Sequence, residues 1–256
     1  LANRFTLDLA PRAALVTGAS RGIGRAAAKL LASAGARVAV NYARDAAAAD
    51  SVVEEIRTAG GEAVAIGADV ADPSEARRLV ADAAAAWGRL DILVNNAGVW
   101  PENPAGSGDL EAWDLAFGVN TRGAFLVTDA AIAPLRKTRG VIVFVSSTAG
   151  QRGEARHSAY AASKGALQSY TKSLASELGP EGVRVNCVAP GWVETDMSAG
   201  VLADPGARRE IEATIPLGRI ATAEDVAGAI LFLVSDLARH VQGEVLNVNG
   251  GSVLAG

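Results

Sequence analysis

The chain has 256 residues, half of them hydrophobic and a fifth charged, with a formal net charge of −4. That suits one large domain or two small ones and gives ample apolar surface for a core, which excludes intrinsic disorder. The acidic balance, the single cysteine, the two histidines and the lack of any apolar run near ~18 residues argue against a nucleic-acid binder, a disulfide scaffold, a metal site and a membrane protein.

In chain order, residues 1–11 carry Arg4 and Asp8 without an apolar core, so they do not read as a signal peptide, and a cytoplasmic protein is expected. Strands are expected at 13–17, 37–41, 63–67, 92–95, 141–146, 183–188 and 245–248. They are apolar nearly throughout, as parallel strands covered on both faces should be. Helices are expected at 22–34, 45–59, 73–87, 109–135, 158–179 and 223–235. Asp72-Pro73 supplies an N-cap and a proline at the first helical position, Thr222 to Asp225 reads as a second cap, and Gly35 and Gly60-Gly61 end helices. Alternation of this kind predicts an α/β fold with a doubly wound parallel sheet and helices on both faces. No linker or composition shift divides the chain, so 1–256 reads as one domain. Residues 196–216 are less regular, either a mobile flap over a site or a plain surface loop.

The first chemical motif joins the first strand to its helix: Thr17-Gly18-Ala19-Ser20-Arg21-Gly22-Ile23-Gly24. Its glycines let the backbone approach a ligand, and the helix N-terminus suits a pyrophosphate. The second strand ends Val40-Asn41-Tyr42-Ala43-Arg44, with no acid before Asp45. An acid there would repel a 2′-phosphate, whereas Arg21 and Arg44 suit one, so NADP(H) is expected in preference to NAD(H). Asp69-Val70 and Asn95-Asn96-Ala97-Gly98 stand at the carboxyl ends of strands, where ligands bind. The asparagines read equally well as ties between strand ends.

Tyr160 and Lys164 share a helix face at i and i+4, and Ser147 ends a strand at the same edge. A nearby ammonium is expected to lower the phenol pKa, the serine to hold a carbonyl oxygen, and Asn120 to bind a relay water. With these residues the chain resembles the short-chain dehydrogenases/reductases from Thr17 to Gly251. The resemblance implies a Rossmann-type sheet of seven strands. It implies a tetrad of Asn120, Ser147, Tyr160 and Lys164, with Tyr160 as general acid in reduction and Lys164 on the nicotinamide ribose. It also implies that Pro190-Gly191-Trp192-Val193-Glu194-Thr195 holds the carboxamide through Val193 and Thr195, for pro-S hydride transfer.

Within the family, residues 40–44, 59–63, 190–197 and 248–251 look most like 3-oxoacyl-[acyl-carrier-protein] reductases, which makes a 3-oxoacyl thioester the leading substrate. Three features favour the alternative, a sugar, polyol, steroid or other secondary alcohol. They are the Val99-Trp100-Pro101-Glu102-Asn103-Pro104 stretch, Glu181 in place of the arginine expected to dock the carrier protein, and the polar 151–158 loop with Arg152, Glu154, Arg156 and His157. The basic cluster Arg136, Lys137 and Arg139 reads as a solvated helix end or as compensation for Glu181. The resemblance further implies a homotetramer or dimer, with 109–135 and 158–179 in one interface. Segment 223–235 and the tail Val253-Leu254-Ala255 are apolar enough to bury against a partner.

Overall fold

The computed structural model describes residues 7–254; Arg4 and Ala255 lie outside the described residues. The strands are β1 (Ala13–Val16), β2 (Arg37–Tyr42), β3 (Glu62–Gly67), β4 (Ile92–Asn95), β5 (Val141–Val145), β6 (Arg184–Pro190) and β7 (Val245–Val248). They form one parallel sheet in the order β3-β2-β1-β4-β5-β6-β7. Each expected strand is present, and the sheet is of the Rossmann type. Strand order reverses between β1 and β4, which opens a crevice above their carboxyl ends.

Burial on both faces explains why these strands are apolar throughout. Ala14 and Val16 of β1 join one core layer with Ile92, Val94, Val143 and Val145. Leu15 joins the opposite layer with Leu93, Ile142 and Phe144. Helices α1 (Gly22–Ser33), α2 (Ala46–Thr58) and α10 (Ala223–Val234) close the first face, with α1 packed on α10. Helices α3 (Pro73–Trp87), α5 (Ala124–Thr138) and α7 (Ser158–Leu178) close the second. Alanine serves close packing here: Ala26, Ala27, Ala28 and Ala32 of α1 are all buried. The apolar stretch 223–235, expected to face a partner, is largely used inside the chain, since Val226, Ala227, Ile230, Leu233 and Val234 are buried in that layer.

The caps form as the sequence suggests. Asp72 accepts from the Ser74 and Glu75 amides ahead of α3, and Thr222 and Asp225 form a reciprocal capping box ahead of α10. Two segments differ from expectation. The single helix expected at 109–135 is α4 (Leu110–Ala116), a π-helical turn (Phe117–Gly123) and then α5. The widened turn leaves no mark on hydrophobic periodicity, but it lets Gly123 pass close to Val70; a Cβ there would lie 2.8 Å from Val70 Cγ2. The irregular stretch 196–216 contains α8 (Ala199–Leu202) and α9 (Pro205–Ala213). Asp204-Pro205-Gly206 resembles a turn, yet Asp204 caps α9 by accepting from the Gly206 and Ala207 amides at 2.6 and 3.1 Å, with Pro205 in the first turn.

Phe144 is fully buried between sheet and helices, its ring 5.6 Å from that of Tyr170. Phe144→Ala is therefore expected to cost about 3–5 kcal/mol. In denaturant unfolding the midpoint should fall at unchanged slope; a loss below ~1 kcal/mol would show that this layer is not close-packed.

Candidate active site

The turn between β1 and α1 forms one wall of the crevice. Gly18 and Gly22 have φ of 60° and 53°, a region other residues rarely adopt. At Gly24 space is the constraint, because a Cβ would lie 2.4 Å from the Gly18 carbonyl and 2.5 Å from Asn96 Nδ2. The turn is tied to the end of β4. Asn96 Nδ2 donates to the Thr17 and Gly18 carbonyls at 2.9 and 3.0 Å, and Thr17 Oγ1 accepts from the Asn96 and Ala97 amides at 3.0 Å each. Helix α1 then opens with no side-chain cap and no acid in its first turn, which leaves its positive end toward the crevice.

Asn41 braces the same turn from the other side. Its Oδ1 accepts from the Gly18 amide at 3.1 Å, and its Nδ2 donates to the Tyr42, Ile66 and Ala68 carbonyls. The Asn96 amide thus ties strand ends, one of the two readings of the Asn95-Asn96 pair, and the Asn41 amide is likewise engaged inside the protein. Both residues still line the cavity with Gly18, Ser20, Arg21, Gly22, Ile23, Tyr42, Arg44, Asp69 and Val70. Asp45 also lines the cavity, and its carboxylate caps α2, accepting from the Ala48 amide at 3.0 Å. Arg44 is exposed on the cavity wall, and exposed Arg21 lies 4.0 Å from Asp196. The cavity continues past Ala97, Gly98, Pro190, Gly191, Val193 and Thr195 to Ser147, Tyr160 and Lys164. Its volume of about 770 Å³ lies within the ~300–1,000 Å³ usual for cofactor sites. A glycine turn without room for side chains, an uncapped helix N-terminus and exposed guanidinium groups fit a phosphorylated dinucleotide.

At the far end, Ser147 stands beside Tyr160, close enough to pull the phenol pKa down against burial, and Ser147 Oγ accepts from the Ala149 amide at 3.1 Å. This serine precedes the short helix α6 (Ala149–Arg152). Lys164 is buried and donates from Nζ to the Val145 carbonyl at 2.7 Å, with Nζ 5.8 Å from the Tyr160 ring centroid. The electrostatics depart from the expectation that the ammonium lowers the phenol pKa. Burial dominates and raises Tyr160 to about 12, while burial also lowers Lys164 to about 8. The phenol is accordingly protonated at neutral pH, the state needed to donate a proton.

Asn120 sits fully buried in the π-helical turn. Its Nδ2 donates to the Val99 carbonyl and Ser163 Oγ at 3.0 and 2.9 Å, and its Oδ1 accepts from the Val99 amide at 2.8 Å. Both amide donors are engaged, so this side chain braces the Val99 stretch against α7, and only a lone pair of Oδ1 is left toward any relay water. The Val193 carbonyl accepts from Ser198 Oγ at 2.6 Å, which ties the 190s stretch to the residues just ahead of α8. Ser163 and Ser198, which the sequence does not single out, support the site through these contacts.

The substrate end is walled by aromatic rings brought from three parts of the chain. Trp100 stacks on His157 with centroids 4.3 Å apart and meets Trp192 and Tyr160 edge-on at 5.8 and 6.5 Å. His157 Nδ1 lies 2.9 Å from the Pro101 carbonyl, which makes it the protonated nitrogen. The 151–158 loop divides between solvent and site: Arg156 pairs with Glu102 at 3.1 Å in solvent, while Arg152 and Glu154 line the cavity. Glu181 pairs with Arg136 at 2.7 Å on the surface.

The family model described as enoyl-(acyl carrier protein) reductase matches residues 18–252. A 3-oxoacyl-[acyl-carrier-protein] reductase of Synechocystis is 42% identical over 248 residues, covering 96% of this chain and 98% of the relative. An L-rhamnose 1-dehydrogenase (NAD(P)(+)) of Azotobacter vinelandii is 41% identical, covering 95% and 97%. A crystal structure given as a candidate NAD(P)-dependent gluconate 5-dehydrogenase of Beutenbergia cavernae, with NADP bound at low occupancy, superposes with a TM-score of 0.91 at 41% identity, covering 96% and 98%. The chain belongs to the short-chain dehydrogenase/reductase family and is an NAD(P)-dependent oxidoreductase acting on CH–OH and C=O groups.

The glycine turn generates a direct test. The added Cβ of Gly24→Ala meets braced backbone and the Asn96 amide rather than a flexible side-chain tip. NADPH binding, followed by fluorescence titration, is expected to weaken 100-fold or more; an unchanged affinity would show that the turn does not form the cradle.

Proposed function

We propose that this short-chain dehydrogenase/reductase works as one dinucleotide-binding domain that interconverts a secondary alcohol and a ketone with NADP(H), under a substrate flap at 196–216. The observation that carries the reading is the gathering of Ser147, Tyr160 and buried Lys164 in the same cavity as the glycine turn. The glycine turn, Arg21 and Arg44 would hold the phosphates, and Pro190, Gly191, Val193 and Thr195 the nicotinamide end. A bound NADP(H) supplies or accepts the hydride. Ser147 holds the substrate oxygen, and Tyr160 donates its proton to that oxygen in reduction. The Lys164 ammonium offsets the charge left on the phenolate, and in oxidation the proton returns to Tyr160.

On the substrate side, a polar secondary alcohol of the sugar or polyol class fits best. Aromatic faces and a half-buried carboxylate border the reacting end, and Arg136 is already paired with Glu181 rather than free to dock an acidic carrier. A 3-oxoacyl thioester is the second reading, supported by the identity to reductases of that class. For assembly, Trp113, Leu115 and Phe125 are exposed large apolar residues along α4 and α5, and they favour a homotetramer or dimer built on that face.

Three measurements test this. In a panel of sugars, polyols, plain ketones and acetoacetyl-CoA with NADP(H), sugars or polyols should be turned over fastest; exclusive use of acetoacetyl-CoA would establish the second reading. Tyr160→Phe should then lose at least ~100-fold in kcat while binding NADPH, and turnover at the wild-type rate would refute the mechanism. For the cofactor, kcat/KM should favour NADPH over NADH. Arg44→Ala should cut the NADPH value about tenfold and barely change that for NADH. Equal values for the wild-type enzyme would overturn the roles given to Arg21 and Arg44.

A further inference from the structure

Glu154 is the one acidic side chain of the 151–158 loop, and it faces the cavity rather than solvent. It is half-buried beside the catalytic tyrosine, close enough for its charge to raise the Tyr160 pKa. A carboxylate offers about four acceptor positions. The Trp100 side chain stands against it and favours its charged form. Among the described residues Glu154 forms no ion pair, although Arg152 and His157 lie within electrostatic reach. Burial raises its pKa, and the carboxylate keeps acceptor positions for donors from a ligand.

The surroundings say what would supply those donors. Trp100 is fixed by its stack on His157, and Trp192 stands edge-on to it, 5.8 Å away. These rings offer flat apolar faces to carbon–hydrogen surfaces, while Glu154 offers oxygen lone pairs at the same wall. An acyl chain or plain alkyl ketone laid there would strip water from the carboxylate and return nothing. A carbon chain or ring bearing hydroxyls would cover the rings and donate to the carboxylate together.

We propose that Glu154 determines substrate specificity by accepting a hydrogen bond from a substrate hydroxyl close to the reacting carbon, which selects polyhydroxylated alcohols and hydroxyketones over plain ketones and acyl thioesters. The assignment rests on the reading that Tyr160 transfers the proton at this site, and it adds the residue that reads the substrate. Glu154 does not touch the reacting bond; it orients the molecule that carries it.

The test compares matched carbonyl compounds with NADPH: acetoin, which carries a hydroxyl next to the ketone, and butan-2-one, which lacks it. Sorbitol and gluconate with NADP+ separate a neutral polyol from a sugar acid, the latter drawn also by Arg152. The wild-type enzyme should favour acetoin over butan-2-one in kcat/KM by tenfold or more. In Glu154→Ala that ratio should fall about tenfold, chiefly through KM for acetoin, while Glu154→Gln, which keeps an acceptor oxygen, should hold an intermediate ratio. NADPH titration of each variant reports whether the fold is intact. A ratio unchanged in a folded Glu154→Ala overturns the proposal, as does a wild-type enzyme that reduces plain ketones but shows no preference for hydroxylated ones. The latter result leaves the Tyr160 chemistry standing. If no carbonyl compound or alcohol is turned over, the underlying reading fails as well.

Discussion

The close approach of the β1–α1 turn to the end of β4 is the constraint on which the site depends. Gly24 has no room for a Cβ because the Gly18 carbonyl and the Asn96 amide already occupy that space. The Asn96 amide is there because it ties two strand ends together through the Thr17 and Gly18 carbonyls. One set of contacts therefore sets the crevice at the switch point of the sheet, shapes the glycine turn and aims the start of α1 into the cavity. Side chains that serve strand order also serve ligand access, since both need the same backbone groups drawn together.

A second set of buried polar contacts carries the chemistry. Lys164 is held by the Val145 carbonyl at the end of β5, and Asn120 locks the Val99 stretch to Ser163 on α7. These contacts place Tyr160 and Ser147 at the carboxyl edge of β5, where the cavity is narrowed by aromatic rings. The surrounding interior is apolar enough that burial raises the tyrosine pKa, with the Glu154 charge acting in the same direction, and lowers that of the lysine. The acid–base pair is thus tuned by desolvation at least as much as by proximity.

The strands were legible because a parallel sheet covered on both faces demands unbroken apolar runs, and 92–95 and 245–248 are bounded as their composition suggests. Tyr160, Lys164 and Ser147 were legible because spacing on one helix and position at a strand end are local facts. The π-helical turn was not, because an extra residue per turn alters hydrogen bonding without altering which residues are apolar. The helix after Asp204 was missed because Asp-Pro-Gly serves a turn and an N-cap equally well, and only the following packing separates them.

The sequence by itself determined the parallel α/β sheet, the glycine turn and Tyr160 as the candidate proton-transferring group, because each follows from local propensity or fixed spacing. Only the tertiary structure decided what surrounds that group. It gathered Trp100, Glu154 and Trp192 from separate loops around Tyr160, paired Glu181 with Arg136, and set the direction of the tyrosine pKa through burial. Desolvation and contacts between distant segments exist only once the chain is folded, so no stretch of residues could state them in advance.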